Sequence, residues 1–295
     1  MRAWWYLALV MLLGCERQSD VQALAVSKDL TSSATPQIAK TGALRIVSLA
    51  PGLTELVYAI GAEQFLVATV EYSDYPAAAR HIPRVGDAFR IDMEKLLALK
   101  PDIVLAWTSG TTATTVEEIK ALGLRVESLD VQHISEVSES LLKIGEITGM
   151  QRNAKYAADM FEREISELRA QYQKRSPVSV FVEVNSHPVY TVNGKHGLSE
   201  VLELCGGRNV FTDLNQLAPI VGVEAVLKTN PEVIVSTEGA LEQLQQEWQP
   251  WPELKAVKKQ HLFVVSPDTT TRATPRLAQG AKEVCQALDR ARELN

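Results

Sequence analysis

The chain of 295 residues lacks the motifs that mark most enzymes and nucleic-acid-binding proteins. It contains no G-x-S-x-G, P-loop or G-x-G-x-x-G motif, and its five histidines are scattered rather than spaced as metal ligands. A net charge of −6 without a basic stripe argues against nucleic acid as a partner. We therefore expect no enzyme activity, no cofactor and no bound metal. The histidines, each expected at the surface or in a loop, are His81, His133, His187, His196 and His261.

Cysteine is scarce, and the first of the three cysteines follows a short apolar segment. That segment begins after Arg2, is too short to span a bilayer as a helix, and has the layout of a secretory signal. Its ending, LLGC, is similar to a bacterial lipobox, in which the thiol of the cysteine is acylated. We expect residues 1–14 to be a signal peptide, Cys15 to carry the lipid, and residues 15–42 to be a flexible tether. An ordinary signal peptide with an incidental cysteine is the alternative.

No second long apolar run occurs, so a lipid on Cys15 would be the membrane anchor of an extracytoplasmic protein. The two other cysteines, Cys205 and Cys285, both lie in the second half of the chain. In an exported protein, two such cysteines suggest one disulfide. The bond would close a loop of about 80 residues and contribute roughly 4–5 kcal/mol in the chain-entropy model. Two buried free thiols are the alternative.

One block of sequence occurs twice, 130 residues apart. Residues 91–105 read IDMEKLLALKPDIVL, and residues 221–235 read VGVEAVLKTNPEVIV. A weaker pair, TELVYAIGA at 54–62 and SEVLELCGG at 199–207, lies at nearly the same offset. Ser199, which has no nearby base, is expected to cap a helix. The repeat predicts two similar α/β lobes, and a cleft between two lobes is a common place for a ligand.

Strand and helix patterns alternate in both halves, which predicts parallel sheets wrapped by helices. The apolar run Ile103–Trp107 has no alternation, as a parallel strand covered on both faces requires. No glycine or proline occurs between Gly149 and Pro177, and apolar residues recur there at spacings of three and four. A helix over 152–175 would be a stiff rod about 36 Å long. The predicted organisation is an N-terminal lobe at 43–149, an interlobe helix at 150–176 and a C-terminal lobe at 177–295.

Five segments resemble the periplasmic cobalamin-binding protein family of vitamin B12 ABC importers. They are APGLTELVYAIGA (50–62), YSDYP (72–76), the first repeat block running into LAW (105–107), VLELCGGRNVF (201–211) and RATPR (272–276). The matching segments are spread from about residue 44 to 288, so the resemblance covers nearly the whole mature chain. The wider superfamily of two-lobed binders joined by one backbone helix also carries haem and ferric siderophores. Either of these is an alternative ligand.

The resemblance implies a ligand site in the cleft. A corrin ring is large, nearly flat and fringed by amides, so it needs aromatic faces and a few polar groups. Trp107 and Tyr190 have an alternative interpretation as core residues, and Asp268 with Arg272 as a surface ion pair at i and i+4. The implied ligand-binding residues are Pro51, Tyr72, Trp107, Tyr190, Asp268 and Arg272.

The sequence departs from the cobalamin-binding pattern at two positions. Ala88, with Phe89 beside it, and Ala218, before Pro219, stand where that family has tryptophans that contact the ligand. A pocket without these two indoles is less aromatic. The departure indicates weaker binding, a different corrinoid such as cobinamide, or another ligand.

The resemblance also implies a partner. Glu94 and Glu224 match the acids that face the permease in that family and pair with its arginines. The alternative is local, because an acid in the first turn of a helix stabilises the helix dipole by about 0.3–1 kcal/mol. We expect a monomeric, lipid-anchored solute-binding protein that delivers a corrinoid to an ABC permease. An adhesion or scaffolding lipoprotein that has lost its pocket is the alternative from another class.

Overall fold

The structure is a computed structural model that describes residues 42–87, 90–130 and 132–293. Its first four strands form one parallel sheet, and a second parallel sheet and a short antiparallel hairpin follow. The first sheet contains β1 (Ile46–Ser48), β2 (Leu66–Ala68), β3 (Ile103–Trp107) and β4 (Val126–Leu129). After it come β5 (Val178–Glu183), the hairpin β6 (Asn185–Ser186) and β7 (Val189–Tyr190), then β8 (Gly207–Asn209), β9 (Val233–Ser236) and β10 (Leu262–Val264).

Eleven helices lie among the described residues. They are α1 (Pro51–Ala59), α2 (Met93–Ala98), α3 (Ala113–Ala121), α4 (Ile134–Thr148), α5 (Gln151–Tyr172), α6 (Gly197–Leu204), α7 (Val223–Thr229), α8 (Leu241–Trp248), α9 (Lys255–Lys258), α10 (Pro267–Thr270) and α11 (Leu277–Glu293). We call β1–β4 with α1–α4 the first lobe, and β5–β10 with α6–α11 the second lobe.

The two lobes have the same topology, which confirms the prediction made from the repeat. The first sheet has the order β2-β1-β3-β4, and the second has the matching order β8-β5-β9-β10. The strong repeat forms α2 with β3 in one lobe and α7 with β9 in the other. The weaker repeat forms α1 and α6. Each lobe is therefore one copy of the same α/β unit.

The strong repeat ends its helices in the same way in both lobes. Lys100 and Asn230 each have a left-handed backbone conformation, with φ of 46° and 45°. Each precedes a proline, Pro101 or Pro231, and a residue before proline is disfavoured in the right-handed helical region. The helix therefore stops and the chain turns directly into a strand.

The acid after each proline then joins two strands. The carboxylate of Asp102 accepts the backbone N–H of Arg45 at 3.0 Å, and that of Glu232 accepts the N–H of Ser179 at 2.8 Å. Burial alone would raise the pKa of Glu232, but its bonds from Ser179 and the nearby charge of Lys255 leave that pKa below its ordinary value. These two acids of the repeat are part of the sheet structure and not of the cleft.

The predicted interlobe helix is present as α5, which spans 22 residues, or about 33 Å. It ends at Tyr172, three residues before the end of the helix predicted over 152–175, and the N–H of Arg175 bonds to the carbonyl of Tyr172 to close a turn. Its buried face, which includes Phe161 and Ile165, belongs to a hydrophobic cluster that contains residues of both sheets. A shared core on a long helix favours a nearly rigid relation between the lobes.

The predicted disulfide is confirmed. Cys205 and Cys285 are joined, with a Cα–Cα distance of 4.7 Å and a sequence separation of 80. The bond ties the end of α6 to α11, so it lies inside the second lobe, as expected.

One prediction about a single residue was wrong. Ser199 does not cap α6, because the helix begins earlier and its N-cap is His196. The Ser199 hydroxyl instead donates to the carbonyl of Asn193 at 2.7 Å. His261 lies in the loop before β10, as expected, but it is fully buried there, and its Nδ1 lies 3.2 Å from the carbonyl of Glu232.

Candidate ligand-binding site

A cavity of about 120 Å³ lies between the two lobes. It is smaller than the roughly 300–1,000 Å³ of a typical small-molecule site, so a large ligand would extend from it into the open part of the cleft. Both lobes contribute to its wall. The lining residues used below are Trp107, Ser109 and Gln132 from the first lobe and His196, Leu198 and Leu217 from the second.

Trp107 is the aromatic wall of this cavity. It ends β3, and its backbone N–H donates to the hydroxyl of Thr111 at 3.1 Å. The indole lies so close to Gly110 that a Cβ there would come within 1.9 Å of the ring. Its Nε1 is buried and has no hydrogen-bond partner among the described residues. Trp107 also packs against the main core. The residue is therefore both a wall of the cleft and a neighbour of the core, so both interpretations made from the sequence apply to it.

Arg272 lies at the centre of a charged cluster that joins the lobes. Its guanidinium contacts Glu55 of α1 at 3.0 Å, Asp74 at 3.4 Å and Asp268 at 2.9 Å. The ion pair with Asp268, proposed as the alternative to ligand binding, is therefore present. Arg272 keeps 21% of its side chain exposed and Asp268 keeps 47%, whereas Glu55 keeps 2%. The two predicted site residues thus lie together at an interlobe contact.

Arg276, four residues after Arg272 and just before α11, completes the cluster. It holds Glu55 with two hydrogen bonds, from Nε at 2.9 Å and from a terminal nitrogen at 2.7 Å. Its guanidinium also lies 3.7 Å from the centroid of the Tyr75 ring. Burial alone would lower the pKa of Arg276, but the bonds and charge of Glu55 raise it above its ordinary value. The buried carboxylate is therefore matched by two cations, as buried charges require.

The three other predicted ligand residues do not line this cavity. Pro51 is the first residue of α1, and the neighbouring Gly52 approaches Thr274 of the second lobe. Tyr72 is 76% exposed in a left-handed conformation with φ of 64°. Tyr190 is half-buried at the end of β7 and pairs with Ile220.

A second carboxylate crosses between the lobes at the equivalent helix. Glu200 of α6 accepts the backbone N–H of Ile134, the first residue of α4, at 2.9 Å. Its carboxylate also lies 3.5 Å from Nδ1 of His133. Beside it, a Cβ on Gly197 would lie 2.4 Å from the carbonyl oxygen of Gln132. The second lobe therefore approaches the first closely on this side as well.

Glu94 and Glu224 lie in the first turns of α2 and α7, one in each lobe, and both are exposed. Neither carboxylate makes an ion pair with another residue in the part of the chain that the structure describes. The carboxylate of Asp92, and not that of Glu94, caps α2 by accepting the N–H of Lys95 at 2.9 Å.

Three residues singled out from the sequence are not among those that the structure describes. They are Cys15, Ala88 and Phe89. Ala218 is exposed and lies between Leu217 and Pro219. The carbonyls of these two neighbours accept the backbone N–H groups of Asn193 and Thr191, which follow β7. This segment forms part of the second lobe's rim of the cleft.

Sequence reasoning missed Glu55, Arg276 and His196. The weaker repeat contained a signal for the first, because Glu55 follows Thr54 as Glu200 follows Ser199. Arg276 ends the RATPR segment that carries the resemblance. His196 had no signal in its spacing. Within residues 42–87, 90–130 and 132–293, no group of three His, Cys, Asp or Glu side chains is arranged to hold a metal ion.

Two α/β lobes, a connecting helix and an interlobe cleft together define a solute-binding protein. Residues 46–269 match the periplasmic binding protein family, and the chain belongs to that family. None of the helices in the described ranges is long and apolar enough to cross a membrane.

Relatives of this chain include two vitamin B12-binding proteins. The one from Vibrio cholerae serotype O1 is 34% identical over 245 residues, which is 83% of this chain and 88% of the relative. The one from Yersinia pestis is 33% identical over 246 residues, covering 83% and 86%.

Solved structures extend the similarity to the fold. The crystal structure of the periplasmic vitamin B12 binding protein BtuF of Vibrio cholerae matches with a TM-score of 0.80 and 34% identity, over 85% of this chain and 98% of that one. The periplasmic heme-binding protein RhuT from Roseiflexus sp. RS-1 matches with a TM-score of 0.76 but 19% identity, over 85% and 99%. At that identity the second match concerns the fold alone.

Proposed function

We propose that this protein captures a corrinoid in the cleft between its lobes and delivers it to the permease of an ABC importer. One observation carries the proposal: an interlobe cleft walled by Trp107, in a chain 34% identical over 245 residues to a vitamin B12-binding protein. The cavity would receive one edge of the flat ring, and the open cleft would hold the remainder. Because the family binds and releases solutes, no catalytic step or resident cofactor is needed.

The predicted ligand residues form two groups, one that offers aromatic or apolar surface and one that offers polar contacts. Tyr72, Trp107 and Tyr190 offer aromatic surface, and Pro51 adds an apolar contact beside α1. Arg272 has five N–H donors, so its ion pairs still leave it able to reach a ligand amide. Asp268, nearly half exposed, accepts N–H groups of the same amides.

Glu94 and Glu224 would dock the permease, one carboxylate from each lobe. Both carboxylates are exposed, and neither forms an ion pair with another described residue, so both are available to cations of a partner. The shared core along α5 supports a nearly constant separation between them, so loading would change the docking geometry little. Release would then depend on the permease opening or filling the cleft.

The docking role is tested by reversing both charges, Glu94→Arg with Glu224→Arg. Uptake of the ligand by cells should be abolished while calorimetric affinity stays unchanged, and each single variant should be milder because a rim charge mainly alters association. Normal uptake by the double variant would leave these residues as helix-start acids.

A lipid on Cys15 would hold the protein, as a monomer, at a membrane outside the cytoplasm. This part of the proposal rests on the LLGC ending of the first fifteen residues. Replacing Cys15 with Ser should release the protein from the membrane fraction without changing ligand affinity.

The ligand is tested by calorimetric titration of the purified apoprotein with cyanocobalamin, cobinamide and hemin. Tight binding of either corrinoid is expected, with a stabilisation of about 2.7 kcal/mol at 100 times the dissociation constant. Tight binding of hemin alone would replace the corrinoid with haem, the alternative suggested by the fold. No thermal response to any member of the panel would favour a scaffolding lipoprotein, for which Ala88 and Ala218 are the supporting features.

A further inference from the structure

His196 faces the cavity from the start of α6 and has one of its two ring nitrogens occupied. Its Nδ1 accepts the backbone N–H of Leu198 at 3.1 Å, which makes the ring the N-cap of the helix. A nitrogen that accepts a hydrogen bond carries no proton, so in the neutral ring the proton is on Nε2. Burial lowers the pKa of His196, which favours this neutral form.

The Nε2–H of His196 has no acceptor among the residues that the structure describes. The cavity wall combines apolar groups with the polar side chains of Ser109, Gln132, Thr270 and Thr271; the apolar groups include Leu198, Leu217 and the indole of Trp107. The buried N–H of Trp107 on the opposite wall likewise lacks an acceptor within the described ranges. His196 is partly buried on the cavity wall, so a donor there without a protein partner is available to an acceptor on a bound ligand.

We propose that His196 is a further ligand-binding residue, whose Nε2–H donates a hydrogen bond to a carbonyl oxygen on the edge of the cargo. This inference rests on the proposed function, since a corrinoid carries a fringe of carboxamide carbonyls. The same protonated Nε2 has no lone pair for a metal ion. His196 therefore discriminates by hydrogen bonding and does not coordinate the central metal.

The variant His196→Asn separates capping from binding. Asparagine is a strong N-cap residue, so its side-chain oxygen can still accept the N–H of Leu198, but its shorter side chain places no donor where Nε2 lies. His196→Ala removes both functions, and His81→Asn changes an exposed histidine outside the cavity wall and serves as the control.

The experiment measures melting temperature, affinity for cyanocobalamin and cobinamide, and the absorption spectrum with hemin for all four proteins. We expect His196→Asn to melt like the wild type but to bind the corrinoids about threefold to tenfold more weakly, as expected for one lost hydrogen bond. His81→Asn should match the wild type, and the hemin spectrum should be the same with and without His196.

Equal corrinoid affinity of the wild type and His196→Asn would overturn the inference and leave the proposed function intact. A change in the hemin spectrum on replacing His196 would also overturn it, because the ring would then be an iron ligand. A wild-type protein that binds neither corrinoid would overturn the proposed function and this inference together.

Discussion

The two lobes share one topology, but each sends a glutamate to the other lobe in a different chemical setting. Glu55 of α1 and Glu200 of α6 occupy matching positions of the weaker repeat. The side chain of Glu55 is 2% exposed and meets two arginines, whereas that of Glu200 is 33% exposed and accepts a backbone N–H. The repeat thus preserves the direction of the contact, and burial determines how much each contact contributes.

Each glutamate contacts the start of a helix in the opposite lobe. In both lobes that helix comes after the last strand of the sheet. Glu55 binds residues just before α11, and Glu200 binds the first N–H of α4. The interlobe contacts are therefore reciprocal, which is the arrangement a duplicated unit produces when its two copies pack face to face. The lobes differ again in their covalent structure, since the disulfide lies in the second lobe.

Removal of the disulfide should have the largest effect. Replacing Cys205 and Cys285 with Ala should lower the free energy of unfolding by about 4–5 kcal/mol, because the unfolded chain is no longer closed into a loop of about 80 residues. Denaturant unfolding of the purified protein measures this change. An unchanged midpoint would mean that α6 and α11 are already held by packing alone.

The variant Glu55→Gln should have the second largest effect and lower the free energy of unfolding by about 3 kcal/mol. It leaves Arg276 without its buried anion, and breaking a buried ion pair from one side costs roughly 3–5 kcal/mol. The exposed pair of Lys155 and Asp159 provides the control, since Asp159→Asn should change stability by less than about 1 kcal/mol. A similar result for both variants would show that burial does not strengthen the interlobe contact.

A buried glutamate in the second lobe should make stability depend on pH. By strand register, Glu183 occupies the position that Leu49 has in the first lobe. Burial and the charge of Glu247 raise the pKa of Glu183 to about 7 from 4.5, although the N–H of Trp248 donates to it at 2.9 Å and acts in the opposite direction.

The folded protein therefore holds this proton at pH values where the unfolded chain has released it. The free energy of unfolding should fall as pH rises from about 4.5 to about 7, by roughly 2–3 kcal/mol, and change little from this group above that range. Glu183→Gln, measured by denaturant unfolding at several pH values, should remove this part of the dependence. An unchanged pH profile in the variant would assign the dependence to other groups.

Local signals in the sequence were enough to predict much of the fold. Gly149 and Pro177 delimit the glycine- and proline-free stretch that forms α5, and Pro101 and Pro231 mark the ends of the repeated helices. The helices α4 and α8 and the hairpin β6–β7 were not predicted. Each strand of that hairpin has two residues, too few for a period to be visible.

The site was harder to predict because its contacts join distant parts of the chain. The resemblance implied Trp107 as a ligand residue, and the spacing of i and i+4 predicted the Asp268–Arg272 ion pair. Glu55 lies 221 residues from Arg276, and no local pattern connects them. The orientation of His196 depends on where α6 begins, and the helix begins before Ser199, the cap expected from the sequence.

The variant Glu200→Gln is the sharpest test of the comparison, because it repeats the Glu55→Gln change at the matching position. Its amide oxygen can still accept the N–H of Ile134, so the loss is the interaction of a partly exposed charge with the N-terminus of α4 and with His133. We expect a decrease of about 1 kcal/mol or less in the free energy of unfolding, smaller than that of Glu55→Gln. Raising the salt concentration should reduce the Glu200 effect more than the Glu55 effect, since exposed charges are screened more strongly. Equal losses with equal salt dependence would mean that position in the repeat, and not burial, determines the strength of the interlobe contacts.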